Sequence, residues 1–315
     1  MTDLELTPFE RDIAEQPHAL RRLADAPLPD LRAVTSRNRE RIVLTGMGSS
    51  HFAGTPTWRH LISQGRPAWA IDTGQLLDDE ALVTPGTLLV ATSQSGASGE
   101  IAELLRRRRN GRISPAAVIG ITDDATSPLA EGSDVVLPLH SGPEATVSTK
   151  SYLNTLAVHR MLRAAFAGQD VGPIQRTELR AAAAAVQTVL EDTPLRAELT
   201  DVAQASAAHP SRRLSYLGTR DTAATAFFAS LITKESAKIA AEGYAGGQFR
   251  HGPFELAGDG HTAVLFFPDD NRADPSLRRL AADLLAAGSH VVTLDADADA
   301  VKATTPITVP GAPGL

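Results

Sequence analysis

Apolar residues fall along this chain in short unbroken runs, separated by longer stretches with helical spacing. Arg41-Ile42-Val43-Leu44-Thr45-Gly46 opens the series, and Pro67 to Ile71, Thr87 to Thr92, Ala117 to Thr122 and Val135 to Leu139 continue it. A strand wet on one face alternates polar and apolar residues. These runs do not, so they are predicted to form a parallel sheet covered on both faces by the intervening helices. Gly99 to Arg109 and Thr149 to Ala167 are two such helices. An alanine-rich stretch of high helix propensity, Glu178 to Leu190, reads as a connector. The pattern then restarts at Arg213 to Gly218, Ala263 to Phe267 and His290 to Leu294, with a weaker strand at Pro306 to Val309. The expectation is an α/β protein of two doubly wound αβα lobes with parallel sheets. Its expected divisions are an N-terminal helical segment at 1–30, a first lobe at 31–170, a helical connector at 171–200 and a second lobe at 201–315.

A chain of 315 residues is long enough for two domains of ordinary size. Its 43% hydrophobic and 21% charged residues suit a folded globular chain. The absence of cysteine excludes disulfides, thiolate metal sites and a cysteine nucleophile. No apolar run approaches the ~20 residues that span a bilayer, and Met1 to Arg22 is acidic and polar, so the expected location is cytoplasmic, with no membrane partner. A net charge of −7 argues against nucleic-acid binding. An anionic ligand must then be held by local donors. Arg106 to Arg109 closes a helix and reads as a solvated face favoured by the helix dipole. His51 and His60 do not form a helical metal-binding pair, and neither metal nor cofactor is expected. His51 reads as a helix-start histidine facing solvent, with a place in a pocket wall as the alternative.

Candidate chemistry gathers at strand ends. The strand Thr87 to Thr92 runs straight into Ser93-Gln94-Ser95-Gly96-Ala97-Ser98-Gly99, and a helix follows. Small residues permit a tight turn, the helix start offers unpaired N–H groups and the serines add hydroxyl donors. Together these suit a phosphate, although serine and glycine at such a turn can also simply cap the helix. Gly46-Met47-Gly48-Ser49-Ser50 ends the first strand in similar fashion, and Ser148-Thr149-Lys150 precedes another helix. In an open α/β sheet, ligands sit at the edge where such turns converge.

In order, Gly48-Ser49-Ser50, Ser93-Gln94-Ser95-Gly96, Val147-Ser148-Thr149-Lys150 and Arg250-His251-Gly252-Pro253 resemble the motifs of the SIS (sugar isomerase) family, in particular the isomerase half of glucosamine-6-phosphate synthase. The resemblance runs from Glu15-Gln16-Pro17 to about Leu294. It implies two flavodoxin-like SIS lobes and a homodimer with a shared active site. It also implies a hexose 6-phosphate derivative as ligand, bound by Gly48, Ser49, Ser50, Ser93, Gln94, Ser95 and Ser98, with Ser148 on the sugar chain. Ser98 stands where the synthase has threonine. Glu235 and His251, sixteen positions apart as in the family, are then the catalytic pair. Taken alone, Glu235 is a helix-surface carboxylate and His251 a loop histidine. In the family context they suit proton transfer between adjacent carbons and ring opening.

Two departures shift the expected reaction. The synthase lysine one turn before the glutamate is Ile232 here, and Lys234 cannot simply replace it, because adjacent helical residues point about 100° apart. The synthase tail carries a lysine, whereas here 309–315 has none and the last lysine is Lys302. Schiff-base chemistry and glutamine-dependent synthesis are therefore not expected. The run His251-Gly252-Pro253-Phe254-Glu255 is closer to the fructosamine-6-phosphate deglycases of the family. The expected activity is that of a deglycase, or of an amino-sugar-phosphate isomerase or deaminase, with His251 acting in its own subunit or across a dimer. The alternative is a non-catalytic sugar-phosphate sensor, whose usual added DNA-binding domain is not expected in the forty or so residues before the first strand.

Overall fold

The computed structural model describes residues 6–35, 39–145, 147–267, 275–295 and 305–308. Lys302, the tail 309–315 and the first five residues of the N-terminal segment lie outside them, as does Val309 at the end of the last expected strand. The chain divides after Ala184 into two compact units.

In the first unit, β1 (Arg41–Gly46), β2 (Ala68–Asp72), β3 (Thr87–Thr92), β4 (Ala117–Thr122) and β5 (Val135–Pro138) form one sheet in the order β2-β1-β3-β4-β5. Every pairing is parallel. The unbroken apolar runs are explained by burial on both sides: all six residues of β3 and all six of β4 are buried. Helices α1 (Pro8–Ala14) and α2 (Gln16–Asp25) precede the sheet, and α3 (Ser49–Ser63), α4 (Gly99–Arg109) and α5 (Lys150–Phe166) follow β1, β3 and β5. Val43, Leu89 and Val118 pack with Leu104 of α4 on one face. On the other face α3 lies against α5. There Thr57 of α3 bonds the buried His159 of α5.

In the second unit, β6 (Arg213–Gly218), β7 (Ala241–Ala245), β8 (His261–Phe266), β9 (His290–Asp295) and β10 (Thr305–Thr308) form a second all-parallel sheet, ordered β10-β9-β8-β6-β7. The strand order of the first sheet is thus repeated. Helix α6 (Leu179–Glu191) spans the division between the units, and α7 (Thr193–Ala208), α8 (Thr222–Ala237) and α9 (Pro275–Ala286) complete the second. Leu195 of α7 packs with Val292 and Ile307, while Leu277, Leu280 and Leu284 of α9 share a core with Leu217, Leu265 and Phe249. Both units are α/β with parallel sheets only. Among the described residues no helix is long and apolar enough to cross a membrane.

Candidate functional site

The first sheet reverses direction between β1 and β3, where the chain leaves β1 to the left for β2 and returns to the right. At such a reversal the loops after the two strands part and leave a crevice. Gly46 and Thr92 are register partners at this point. Side-chain bulk is excluded there, because a Cβ on Gly46 would lie 2.8 Å from the Thr92 carbonyl oxygen. The two loops that open from this point are Met47-Gly48 and Ser93 to Ser98.

The Ser93 to Ser98 loop is pinned from behind. Asp123 N–H and Thr122 Oγ1 both donate to the Gln94 carbonyl, at 3.0 and 3.1 Å. Gly96 N–H donates to Ser93 Oγ at 3.2 Å, and Ala97 N–H to Ser95 Oγ at 3.3 Å. Gly96 sits at φ +64, and a Cβ there would lie 2.1 Å from Ser127 Oγ. Only glycine meets both demands. Ser93 is buried, Gln94 and Ser98 are half-buried and Ser95 is exposed. Ser98 occupies the N-cap position of α4 yet makes no capping bond. Its hydroxyl oxygen is buried with no hydrogen-bond partner among the described residues. The start of α4 therefore keeps the unpaired N–H groups of a helix N-terminus, with a free hydroxyl beside them.

Helix α3 also lacks a side-chain cap, with Gly48 at its N-cap at φ +51, but Ser50 N–H donates to the Met47 carbonyl and His51 N–H to the Gly48 carbonyl, both at 3.1 Å. Helix α5 differs. Glu144 Oε1 accepts from Thr149 N–H and Oγ1, both at 2.8 Å, and from Ser151 N–H at 2.9 Å. A carboxylate of the chain itself already fills the position that a helix start offers to an anion. Of the three hydroxyl-rich turns, the one before α4 keeps its helix-start donors, whereas those before α3 and α5 have spent donors on the chain itself. Ser148, on the turn before α5, is nevertheless brought to the one before α3: its Oγ lies 3.1 Å from Ser49 Oγ. Lys150, next to Ser148 in the motif, is turned away from this edge into a buried ion cluster with Asp12 at 3.1 Å and with Glu15. Burial opposes its charge, but the two carboxylates more than compensate and hold its pKa above the usual lysine value.

Behind the loops lies His159, which the sequence did not single out. Thr57 Oγ1 donates to the His159 carbonyl at 3.2 Å and stands 3.0 Å from its Nδ1. With the Thr57 proton committed to that carbonyl, Nδ1 is the donor and Nε2 the acceptor. Nε2 faces Thr92 Oγ1, the residue before Ser93, at 3.5 Å. Burial, helped by the charge of Arg163, lowers its pKa to about 3, so the ring is neutral in ordinary buffers. His51 is half-buried rather than solvent-facing. Burial lowers its pKa, opposed in part by Asp72.

The remaining two expected residues belong to the second unit. Glu235 lies in the last turn of α8, exposed. Two residues earlier Thr233 Oγ1 bonds the Tyr216 hydroxyl at 2.9 Å, which fixes α8 on β6 and turns Glu235 to the opposite side of the helix. Lys238, at φ +57, ends the helix and donates to the Glu235 carbonyl at 2.6 Å. His251 is exposed and follows a 3₁₀ turn, Gly246–Arg250, whose Phe249 is fully buried. Phe249 stacks on His261 with ring centroids 5.8 Å apart, and Arg250 pairs with Asp283 at 2.6 Å. His261 is held by Ser289 at 3.0 Å and Ser215 at 3.1 Å, and burial lowers its pKa to about 4. His251 therefore stands on a rigid base. No hydrogen bond or ion pair joins Glu235 to His251 among the described residues.

Residues 36–165 match the family model of the SIS domain. The chain is 30% identical over 309 residues to a glutamine-fructose-6-phosphate aminotransferase (isomerizing) of Caulobacter vibrioides, a match covering 93% of this chain and 49% of that protein. The chain thus spans about half the length of the curated relatives it matches. Among solved structures, the C-terminal domain of glucosamine-fructose-6-phosphate aminotransferase from Francisella tularensis superposes with a TM-score of 0.79 at 20% identity, covering 99% of this chain and 91% of that one. Tagatose-6-phosphate ketose/aldose isomerase from Escherichia coli gives 0.78 at 24% identity, covering 98% and 87%. The chain shares the fold of these two solved structures. Residues 36–165 are thus an SIS domain.

Proposed function

We propose that this protein is an enzyme acting on a hexose 6-phosphate that carries nitrogen, either an amino-sugar 6-phosphate or a 6-phosphorylated fructosamine, by acid–base catalysis. The observation that carries the reading is the unequal state of the helix starts at the carboxyl edge of the first sheet. The start of α4, with the unpartnered Ser98 hydroxyl and the Ser93, Gln94 and Ser95 backbone, supports a phosphate there. Glu144 fills the start of α5. Ser49 and Ser50 continue the cradle, and Ser148, against Ser49, faces the sugar chain.

In this reading Glu235 is the base that moves a proton between C1 and C2 of the open-chain sugar. His251 protonates the ring oxygen as the ring opens. Return of that proton to the neighbouring carbon gives the isomerised sugar; where this leaves a carbon–nitrogen double bond, addition of water to it releases the amine or ammonia and leaves a carbonyl on the sugar 6-phosphate. The names of the relatives, which include a ketose/aldose isomerase, support the same class of proton transfer. A homodimer that shares the site belongs to the same proposal.

A second reading, a sensor that binds the sugar phosphate without turning it over, is favoured by one observation: Glu235 and His251 are both exposed, and no hydrogen bond or ion pair joins them among the described residues. The two readings separate on incubation of the purified protein with fructosamine 6-phosphates and amino-sugar 6-phosphates, following released amine, released ammonia and the sugar-phosphate products. Turnover supports the enzyme. Binding without turnover of either substrate class overturns it in favour of the sensor.

A further inference from the structure

The SIS match begins at residue 36, so α1 and α2 lie before it. Their polar contacts nevertheless converge on the loop that carries Ser148. Asp12, 6% exposed, uses both carboxylate oxygens: Oδ2 accepts from Ala145 N–H at 2.8 Å, and Oδ1 faces Lys150 Nζ at 3.1 Å. Glu15 takes a second proton of the same ammonium, which is 2% exposed. Ten residues on from Asp12, Arg22 donates through Nε to the His140 carbonyl at 3.2 Å and through Nη2 to the Ser141 carbonyl at 2.5 Å. His140 is held at φ +52, a conformation uncommon for a residue with a side chain. One helix pair thus grips the stretch from His140 to Lys150 at both ends, with Ser148 between. Within the loop, Asp123 secures Ser141 and Gly142, and Glu144 secures Thr149 and Ser151.

We infer that α1 and α2 are a working part of the sugar-phosphate site, with Asp12 and Arg22 as positioning residues that hold the 140–149 loop so that the Ser148 hydroxyl stays against Ser49. The inference rests on the reading of Ser148 as the sugar-chain contact. It makes the grip matter for the sugar rather than the phosphate, because the Ser93 to Ser98 loop is fastened by Thr122 Oγ1 and the Asp123 N–H, whereas the 140–149 loop meets only the Asp123 carboxylate.

Two variants test it from the two ends of the loop. Asp12→Asn leaves one acceptor oxygen where there were two, so it cannot serve Ala145 N–H and Lys150 together. Arg22→Met removes both donors at the other end and keeps the apolar stem. Hydrogen exchange on the ligand-free chain is expected to rise at least several-fold at the 140–149 amides in both variants, with the 93–99 amides unchanged. Titration is expected to weaken fructose 6-phosphate about tenfold, on the scale of one lost hydrogen bond, and to leave inorganic phosphate affinity unchanged. Arg22→Lys, which retains a donor, should recover part of the loss. Unchanged exchange at 140–149 in both variants would overturn the inference, as would equal weakening of fructose 6-phosphate and inorganic phosphate. If the unsubstituted protein binds neither probe, the functional reading fails, and the exchange measurement still decides whether the grip exists.

Discussion

Ser49 and Ser148 stand 99 positions apart in the chain, and their hydroxyl oxygens lie 3.1 Å from each other. The contact joins the turn after β1 to the turn before α5, so two of the three hydroxyl-rich turns meet directly at the reversal point of the sheet. A pair of hydroxyls that satisfy one another weakly in the free protein can each turn to a ligand oxygen at little cost. Ser148→Ala is therefore expected to leave the denaturant midpoint nearly unchanged while raising the KM for a phosphorylated sugar about tenfold.

Ser98 gives a sharper separation of stability from binding. Its oxygen is buried and has no hydrogen-bond partner among the described residues, which gain no bond from it. Ser98→Ala should leave stability unchanged or slightly raised, since the loss of an unsatisfied buried group is favourable. Binding of inorganic phosphate should fall roughly tenfold or more, the size of a hydrogen bond to a charged group. Urea unfolding and phosphate titration of the same preparation check both halves. A destabilised variant with normal phosphate affinity would mean that the hydroxyl is structural.

Gly96 is the position in the loop least tolerant of change. Positive φ and the 2.1 Å approach of Ser127 Oγ act together. Gly96→Ala is expected to cost more than about 1 kcal/mol in stability and to weaken phosphate binding, because the turn must open to admit the methyl group. The midpoint of urea unfolding measures the first effect.

The two buried histidines set an acid limit. His159 stays neutral when folded, with its pKa lowered to about 3, whereas the unfolded chain takes up the proton near pH 6.5. The unfolded state then binds more protons, so this contribution is complete above about pH 6.5 and is lost as the pH falls toward 3, by up to about 1.4 kcal/mol per pH unit. His261, lowered to about 4, acts in the same direction. Unfolding profiles between pH 7.5 and 4.5 should be shallower for His159→Gln than for the unsubstituted protein. Equal slopes would contradict the assignment.

Nine of the ten described strands are legible as apolar runs, most plainly β3 and β4, which are buried throughout. The missed strand is β7, Ala241-Glu242-Gly243-Tyr244-Ala245, which lies at the sheet edge and is short and mixed in character. Its glycine answers to tertiary packing: a Cβ on Gly243 would meet the Ala226 carbonyl oxygen of α8 at 2.7 Å. The turns were readable for a similar reason, since small residues and hydroxyls at strand ends have few other uses. The donors already spent were not readable. Glu144 over the start of α5, His159 behind Thr92, and Asp12 and Glu15 around Lys150 depend on neighbours five to 138 positions away. Lys150, read as part of a hydroxyl motif, proves to be a structural ion buried by those distant partners.

The central claim assigns chemistry to Glu235, and its most direct test is the kinetics and binding of Glu235→Gln side by side. Loss of the base with the cradle intact predicts that turnover of a nitrogen-bearing hexose 6-phosphate falls by at least about 100-fold, the usual contribution of a general base, while affinity for the same compound changes little. Full turnover by Glu235→Gln would contradict the account.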